Sequence, residues 1–464
     1  MTGFRAGLAE RSGGGLSVTI EPGGRIEAGD RTRCLLDGVL FDLDRLADRL
    51  GVGELEPERL LALAYERWGE EMIGRLRGNF ALAVHDVPRR RLLLACDQLG
   101  ARSLFFHSNG SRLRFATELA DLIERLPTRP PPEDTALVHW LASTGTPEGR
   151  TLYRGVGKLD GGRLLRFDRG GVDVRRYWSP SFEGCADYSS DTATEATREA
   201  LAAAVRRHLP GGDRCGVLLS GGLDSTSVAA LARRQAPAHP PRAYSAVFPE
   251  HPSIDESSLI DEATASLGLE GSRVEVRGGS MVRGALEYMQ RWEVPLPAPN
   301  HFLWQPLLER AADEGTSVIL DGEGGDELWR FSPYLLADRL GSGRLASATS
   351  LGREMLGVDQ YGGWRSLQPY LRLYGVKGVI PPGVHSRLRN FHSPQRYAPS
   401  WFNERSAATL FEDWDPWAWK RLDGPRWWSF MADLLTGVRE RLGVGDYLRR
   451  RATMAGLENR HPLI

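Results

Sequence analysis

The chain has 464 residues, 41% hydrophobic and 26% charged, with a formal net charge of −1. That length exceeds what one hydrophobic core usually organises, so two domains are expected. The balanced charge excludes a global pull toward nucleic acid or an anionic membrane.

Up to about Trp178, short apolar strands alternate with turns. The run "GNFALAVHDVPRRRLLLACDQLGARSLFFHSNGSRLRFAT" reads as successive hairpins, turning at Pro88 and at Asn109-Gly110. Helical pieces lie over 60–67 and 135–141, so this half is mixed α/β with mainly antiparallel strands. A stretch rich in Ser, Pro, Gly, Glu and Asp over 180–192 reads as a linker. The expected domains are therefore 1–185 and 190–464.

The second half alternates helix and strand. Helix is expected over 194–209, strand over 216–219, helix over 225–234, strand over 244–248, helix over 256–267, and strands over 273–276 and 317–320. Such alternation argues for a parallel sheet covered by helices, with ligands at the carboxyl ends of its strands. From about Phe331 the pattern becomes mostly helical and arginine-rich.

The stretch "GVLLSGGLDSTSVAAL" places Ser220, Gly221, Gly222, Leu223, Asp224 and Ser225 between an apolar run ending at Leu219 and a helix. Backbone N–H groups are unpaired at such a helix start, and glycines let them approach a ligand closely. With the positive end of the helix dipole and the hydroxyls of Ser220 and Ser225, this makes a phosphate site. Asp224 would repel bare phosphate, so a bound cation such as Mg²⁺ is expected beside it. A plain strand-to-helix connection capped by Asp224 or Ser225 explains one such turn. It explains less well a second one: "VILDGEGGDELW" repeats the design with Asp321, Gly322, Glu323, Gly324, Gly325, Asp326 and Glu327. Two acidic glycine loops facing one crevice would let Asp224 and Asp326 share the ion.

Together "SGGLDS" and "GEGGDE" resemble the pyrophosphate loop and acidic loop of the asparagine synthetase superfamily. "YLRRRATMAGLENRHPL" is similar to that family's arginine-rich segment, and "RGNFALAVHD" and "ACDQLGARSLFF" to its glutaminase domain. The resemblance implies an N-terminal glutaminase-like α/β/β/α sandwich of the N-terminal-nucleophile type. It joins that sandwich to an adenine-nucleotide α-hydrolase-like (PP-loop) parallel-sheet domain with a helical tail. It also implies ATP-dependent activation of a carboxylate as an acyl-adenylate, then amide formation. Carried over, Leu219, Ser220, Gly221, Gly222, Asp224 and Ser225 hold pyrophosphate, and Asp224 and Asp326 hold the metal. Val247 and Phe248 flank adenine, and Gly322 and Glu323 adjoin the nucleotide and reacting centre. Glu323 is the candidate base for the attacking amine, or else a loop carboxylate paired with an arginine.

The sequence departs from asparagine synthetase at its start. A glutamine-using member needs an amino-terminal cysteine; here the second residue is Thr2, and no cysteine precedes Cys34. The glutamine-binding Asn-Gly-Glu is replaced by "LDGVLFD", so the N-terminal domain is expected to lack glutaminase activity and the amine to belong to the substrate. β-Lactam synthetases and lasso peptide cyclases share this loss, and β-lactam synthetases generally carry tyrosine where this chain has Glu323. "VFPEHPSIDES", "PLPAPNHFLWQPLL", "HWLASTGTPEGRTLYRGVGKL" and "GLENRHPL" resemble lasso peptide cyclases most. That resemblance implies a precursor core peptide as substrate, closed into an isopeptide macrolactam, with a leader peptidase and a leader-binding protein as partners. Asparagine or β-lactam synthesis, and an inactive peptide-binding scaffold, are the alternatives.

The family continues beyond the position of Ile464 and there supplies a lysine, so either the carboxyl end is truncated, as the resemblance leads one to expect, or this member lacks that group. Of the three lysines, Lys377 and Lys420 are poor substitutes for it. The segment "FEDWDPWAWKRLDGPRWW" reads as tryptophans packing a helical layer, with a peptide groove as the functional alternative. His301 and His461 read as structural hydrogen-bonders, and Asp255 and Glu256 as a cap of the next helix, with substrate contact as the alternative. The cysteines Cys34, Cys96, Cys185 and Cys215 form no CxxC pair, so neither a zinc site nor a disulfide framework is indicated. The start "MTGFRAGLAERSGGG" has no signal-peptide core and no segment approaches a membrane span. A soluble cytoplasmic protein is expected, with neither nucleic acid nor membrane as partner.

Overall fold

A computed structural model describes residues 6–12, 15–20, 31–184, 189–211, 214–298, 300–329, 332–358, 368–389 and 393–464. Thr2, Cys185 and the side chain of His301 lie outside the described residues.

The N-terminal half builds two five-stranded sheets. Strands β1 (Ala6–Ser12), β2 (Gly15–Ile20), β6 (Leu104–Ser108), β7 (Arg112–Ala116) and β8 (Gly157–Leu159) are ordered β2-β1-β7-β6-β8. Strands β3 (Thr32–Leu40), β4 (Gly78–Asp86), β5 (Arg91–Cys96), β9 (Arg163–Asp168) and β10 (Gly171–Arg176) are ordered β10-β9-β5-β4-β3. Every pairing within them is antiparallel. The hairpins turn where proline and Asn-Gly place them: β4 to β5 across Pro88, and β6 to β7 across Asn109 and Gly110. Alternating side chains of both sheets, among them Leu94, Leu113, Phe115 and Phe167, fill the space between them. Helices Leu43–Leu50 and Pro57–Trp68 cover the outer face of the second sheet. Helix Leu119–Glu124 lies against the first. This is the α/β/β/α sandwich that the sequence leads one to expect.

The C-terminal half is a five-stranded parallel sheet. Its strands are β11 (Cys215–Leu218), β12 (Arg242–Val247), β13 (Gly271–Glu275), β14 (Val318–Leu320) and β15 (Glu458–Arg460), ordered β13-β12-β11-β14-β15. Both faces are buried, as a parallel sheet requires. Val217, Val318 and Leu320 pack with Val205, Val228 and Ala263 on one side, whereas Leu218 and Ile319 pack with Leu308, Ala311 and Ala452 on the other. The chain runs from β11 outward through β12 to β13, then returns to β14 on the opposite side of β11. The strand order therefore reverses between β11 and β14, and a ligand crevice belongs outside their carboxyl ends.

Two features depart from the sequence reading. The first helix spans Ser190–His208, starting earlier than 194 because Ser189 accepts the Thr192 N–H and caps it. The tail is not wholly helical: after helix Val444–Met454, β15 re-enters the sheet beside β14. Elsewhere in the tail the tryptophans pack as a layer. Trp419 meets Tyr334 with ring centres 4.4 Å apart, and Trp417 stacks on His385 at 4.3 Å. Among the described residues, no helix is long and apolar enough to cross a membrane.

The two halves meet along residues 439–450. Asp446 accepts the Ser103 hydroxyl at 2.6 Å and lies 3.8 Å from Lys158; Glu118 pairs with Arg449 at 2.5 Å and Arg450 at 2.8 Å. Burial alone would raise the Asp446 carboxyl, but Arg450, Lys158, Arg449 and Ser103 overcome it and hold the group at about 2. Asp446→Asn removes one of the buried carboxylates that balance those cations, leaving Glu118 to face Arg449 and Arg450, an expected loss of about 3 kcal/mol, read as a lower denaturant midpoint. Because the folded carboxyl titrates below its ordinary value, this stabilisation is complete above about pH 4 and is lost as the pH falls toward 2. The Asn variant should lose that part of the pH dependence.

Candidate active site

Three neighbouring strand ends meet at the switch point. On β12, the Ser245 hydroxyl donates to the Leu219 carbonyl at 2.7 Å, and the Leu219 N–H donates to the Tyr244 carbonyl at 2.9 Å, tying the turn after β11 to its neighbour. Val247, buried, ends β12, and the Phe248 N–H donates to Asp255 at 2.7 Å. Asp255 also accepts the Ser257 hydroxyl, so Asp255 rather than Glu256 fastens the loop before helix Ser257–Leu267.

The turn 219–222 is shaped by its own hydroxyls. The Ser220 N–H donates to the Ser225 hydroxyl at 3.2 Å, the two hydroxyls lie 3.0 Å apart, and the Gly222 N–H points at the Ser220 hydroxyl at 3.3 Å. Ser225 is buried and builds the turn, while Ser220 is exposed at the crevice. Gly221 has φ +78°, and a methyl there would lie 2.6 Å from the Leu259 side chain, so neither conformation nor space admits another residue. Helix Leu223–Gln235 starts at Gly222 with no side-chain cap, leaving its first N–H groups open to an anion.

The loop after β14 presses directly on this turn. A methyl on Gly322 would stand 2.6 Å from the Ser225 nitrogen, and one on Gly325 would stand 2.2 Å from the Asp224 carboxyl carbon. The Asp224 carboxyl is pushed up by partial burial, then by the charges of Asp326 and Glu327. The structure thus brings Asp224 and Asp326 into one field. Glu323 is placed differently from a free base: its carboxylate meets Arg439 at 2.6 Å, and Arg439 also meets Glu327 at 3.1 Å. Two carboxylates therefore share one buried guanidinium, while Asp224 lies in the field of Asp326 and Glu327. An uncompensated triphosphate would be repelled here, whereas a divalent cation on Asp224 and Asp326 would be attracted. Those two oxygen donors suit Mg²⁺; among the described residues no group of three or more His, Cys, Asp or Glu is placed to hold a metal, so phosphate oxygens and water would have to complete its shell.

Sequence reasoning missed Arg439, which lies outside the quoted arginine-rich segment, and the role of Asp321. Asp321 is buried against His461 at 2.8 Å and Asn459 at 3.0 Å. His461 is the structural hydrogen-bonder expected of it. Lys377 and Lys420 lie elsewhere: the Lys420 ammonium donates to the Lys377 and Ile380 carbonyls and covers Trp417.

In the N-terminal half, the segment replacing the glutamine-binding motif has Asp37 facing Arg102 at 3.9 Å. Asp97 accepts N–H groups from Phe80, Leu99, Ala101 and Arg102; burial nonetheless raises it to about 6.

Residues 196–464 match the family model described as asparagine synthase, and residues 54–178 match that of a glutamine amidotransferase domain. A Mycobacterium bovis protein, whose name assigns it provisionally as a glutamine-hydrolyzing asparagine synthetase, is 31% identical over 322 residues, covering 65% of this chain and 48% of its own length. The Bacillus subtilis glutamine-hydrolyzing asparagine synthetase 3 is 26% identical over 330 residues (66% and 52%). The Gibberella zeae amidase chry2 is 28% identical over 401 residues (82% and 58%). The chain thus spans about half the length of the curated relatives it matches. The parallel-sheet half is accordingly of the adenine-nucleotide α-hydrolase type.

Proposed function

Because this chain belongs to the asparagine synthase family of ATP-dependent amide ligases, we propose that it activates a small carboxylic acid with ATP and joins it to an amine. The single observation that carries this reading is the contact of two acidic glycine loops across the β11/β14 switch point, with Asp224 in the field of Asp326. The substrate carboxylate oxygen attacks the α-phosphorus of ATP, the bond to pyrophosphate breaks, and an acyl-adenylate forms. The amine then attacks the acyl carbon, AMP leaves, and the amine's proton passes to Glu323. The open N–H groups of helix Leu223–Gln235 and the exposed Ser220 hydroxyl bind and orient the phosphates. Val247 and Phe248 border the adenine. Mg²⁺, held by Asp224 and Asp326, would supply charge neutralisation.

The names of the relatives support a free amino acid such as aspartate as the carboxylate, with ammonia or a small amine as acceptor. Asp37-Gly38-Val39 in place of a glutamine-binding motif favours an amine that does not come from glutamine hydrolysis. That same observation keeps a second reading, closure of a precursor peptide by its own N-terminal amine. In the presence of ATP and Mg²⁺, aspartate and ammonium should yield an amide with AMP and pyrophosphate. A precursor peptide lighter by one water, with no turnover of aspartate, would favour the second reading. Production of ADP would overturn adenylation in both.

A further inference from the structure

Glu323 is gripped at both ends. Its carboxylate is held by Arg439, and its backbone N–H donates to Asp321 at 3.1 Å. Asp321, directly after β14, is only 5% exposed, and both its oxygens are occupied. One accepts the Glu323 N–H and faces the His461 ring nitrogen; the other accepts the Asn459 amide, with Arg451 3.8 Å away. Asn459 also donates to the Ile319 carbonyl at 3.2 Å, which fixes it to the sheet itself. A carboxylate buried this deeply is unfavourable unless its partners are well placed. All of these partners come from β15, the turn after it and the helix before it. Through the Glu323 N–H the network acts on the position of the loop.

We infer that Asp321 is a positioning residue for Glu323: through the Glu323 N–H it sets where that carboxylate meets the incoming amine, while adenylation proceeds without it. The inference rests on the proposed role of Glu323 as proton acceptor.

Two half-reactions separate the possibilities. Pyrophosphate–ATP exchange, with aspartate supplied free and within a short peptide, reads adenylation; hydroxamate formation with hydroxylamine reads acyl transfer. Glu323→Gln is expected to lose about 100-fold or more in hydroxamate formation with exchange changed by less than about 3-fold. Asp321→Ala should give the same split. Asp321→Asn keeps an oxygen to accept the Glu323 and His461 N–H groups and should recover to within about 10-fold of the unaltered protein. The Asp321→Ala/Glu323→Gln double variant should be no worse than Glu323→Gln alone, because both remove one function. His461→Gln should show the split in weaker form, and serves if Asp321→Ala does not fold. Equal losses in both half-reactions, or additive losses in the double variant, overturn the inference. Hydroxamate formation undiminished in Glu323→Gln overturns it too, by removing the role on which it rests. Absence of exchange in the unaltered protein overturns the amide-ligase reading, and this inference with it.

Discussion

Asp224→Ala is expected to reduce ATP-dependent pyrophosphate release by about 1,000-fold or more, with the fold intact. The estimate follows from what charge stabilisation inside a crevice is worth, about 100- to 1,000-fold for one electrostatic group, and from Asp224 holding a cation as well. The side chain lies at the first turn of helix Leu223–Gln235, half-buried, and makes none of the hydrogen bonds that shape the 219–222 turn. Removing it relieves repulsion with Asp326 and Glu327, so stability should hold or rise slightly. Loss of activity with an unchanged or higher melting temperature is therefore the signature. Retained pyrophosphate release would remove the crevice from the mechanism.

Gly322→Ala is expected to cost about 100-fold in the same assay. The added methyl would sit 2.6 Å from the Ser225 nitrogen and 2.9 Å from the Asp224 carbonyl carbon. These are backbone atoms at a helix start and cannot rotate away, so one of the two loops must move. A displacement of about 1 Å at a reacting centre is enough for a loss of this size. Gly341→Ala is the control: it meets nothing within 4 Å and should leave activity unchanged. Equal activity in the two variants would show that the loops need not touch.

The architecture was legible because its signals are local. Proline and Asn-Gly punctuate the N-terminal hairpins, and Val217, Leu218 and Leu219 announce a strand buried on both faces before glycine ends it. The two acidic loops were legible for the same reason: glycines beside carboxylates at strand ends have few other uses. What lay hidden depends on distant partners. β15 is three polar residues, Glu458, Asn459 and Arg460, with no strand propensity; it is a strand because β14 offers an open edge and Asp321 awaits Asn459. Arg439 looks like any of the chain's many arginines until the fold buries it against Glu323. Glu323 itself shows the arginine pairing that was the alternative to its role as a base, on the loop beside the switch point.

The lateness of β15 has a consequence in time. Asn459 and Asp321 are 138 residues apart in the chain, so at ribosomal rates of about 5 to 20 residues per second their meeting lags by roughly 7 to 28 s after Asp321 is made. During that interval the amidotransferase-like half and four of the five parallel strands already exist, together with both glycine loops. The loop bearing Glu323 lacks the Asn459 and His461 partners of Asp321 until β15 and the turn after it arrive. Residues 1–457 are thus expected to fold before β15 joins them, and the loop to take its final position only then. Ribosome-bound chains halted before Glu458 should be compact to protease yet silent in pyrophosphate exchange and hydroxamate assays alike, since β14, which carries the acidic loop, would be left as an open edge paired only with β11.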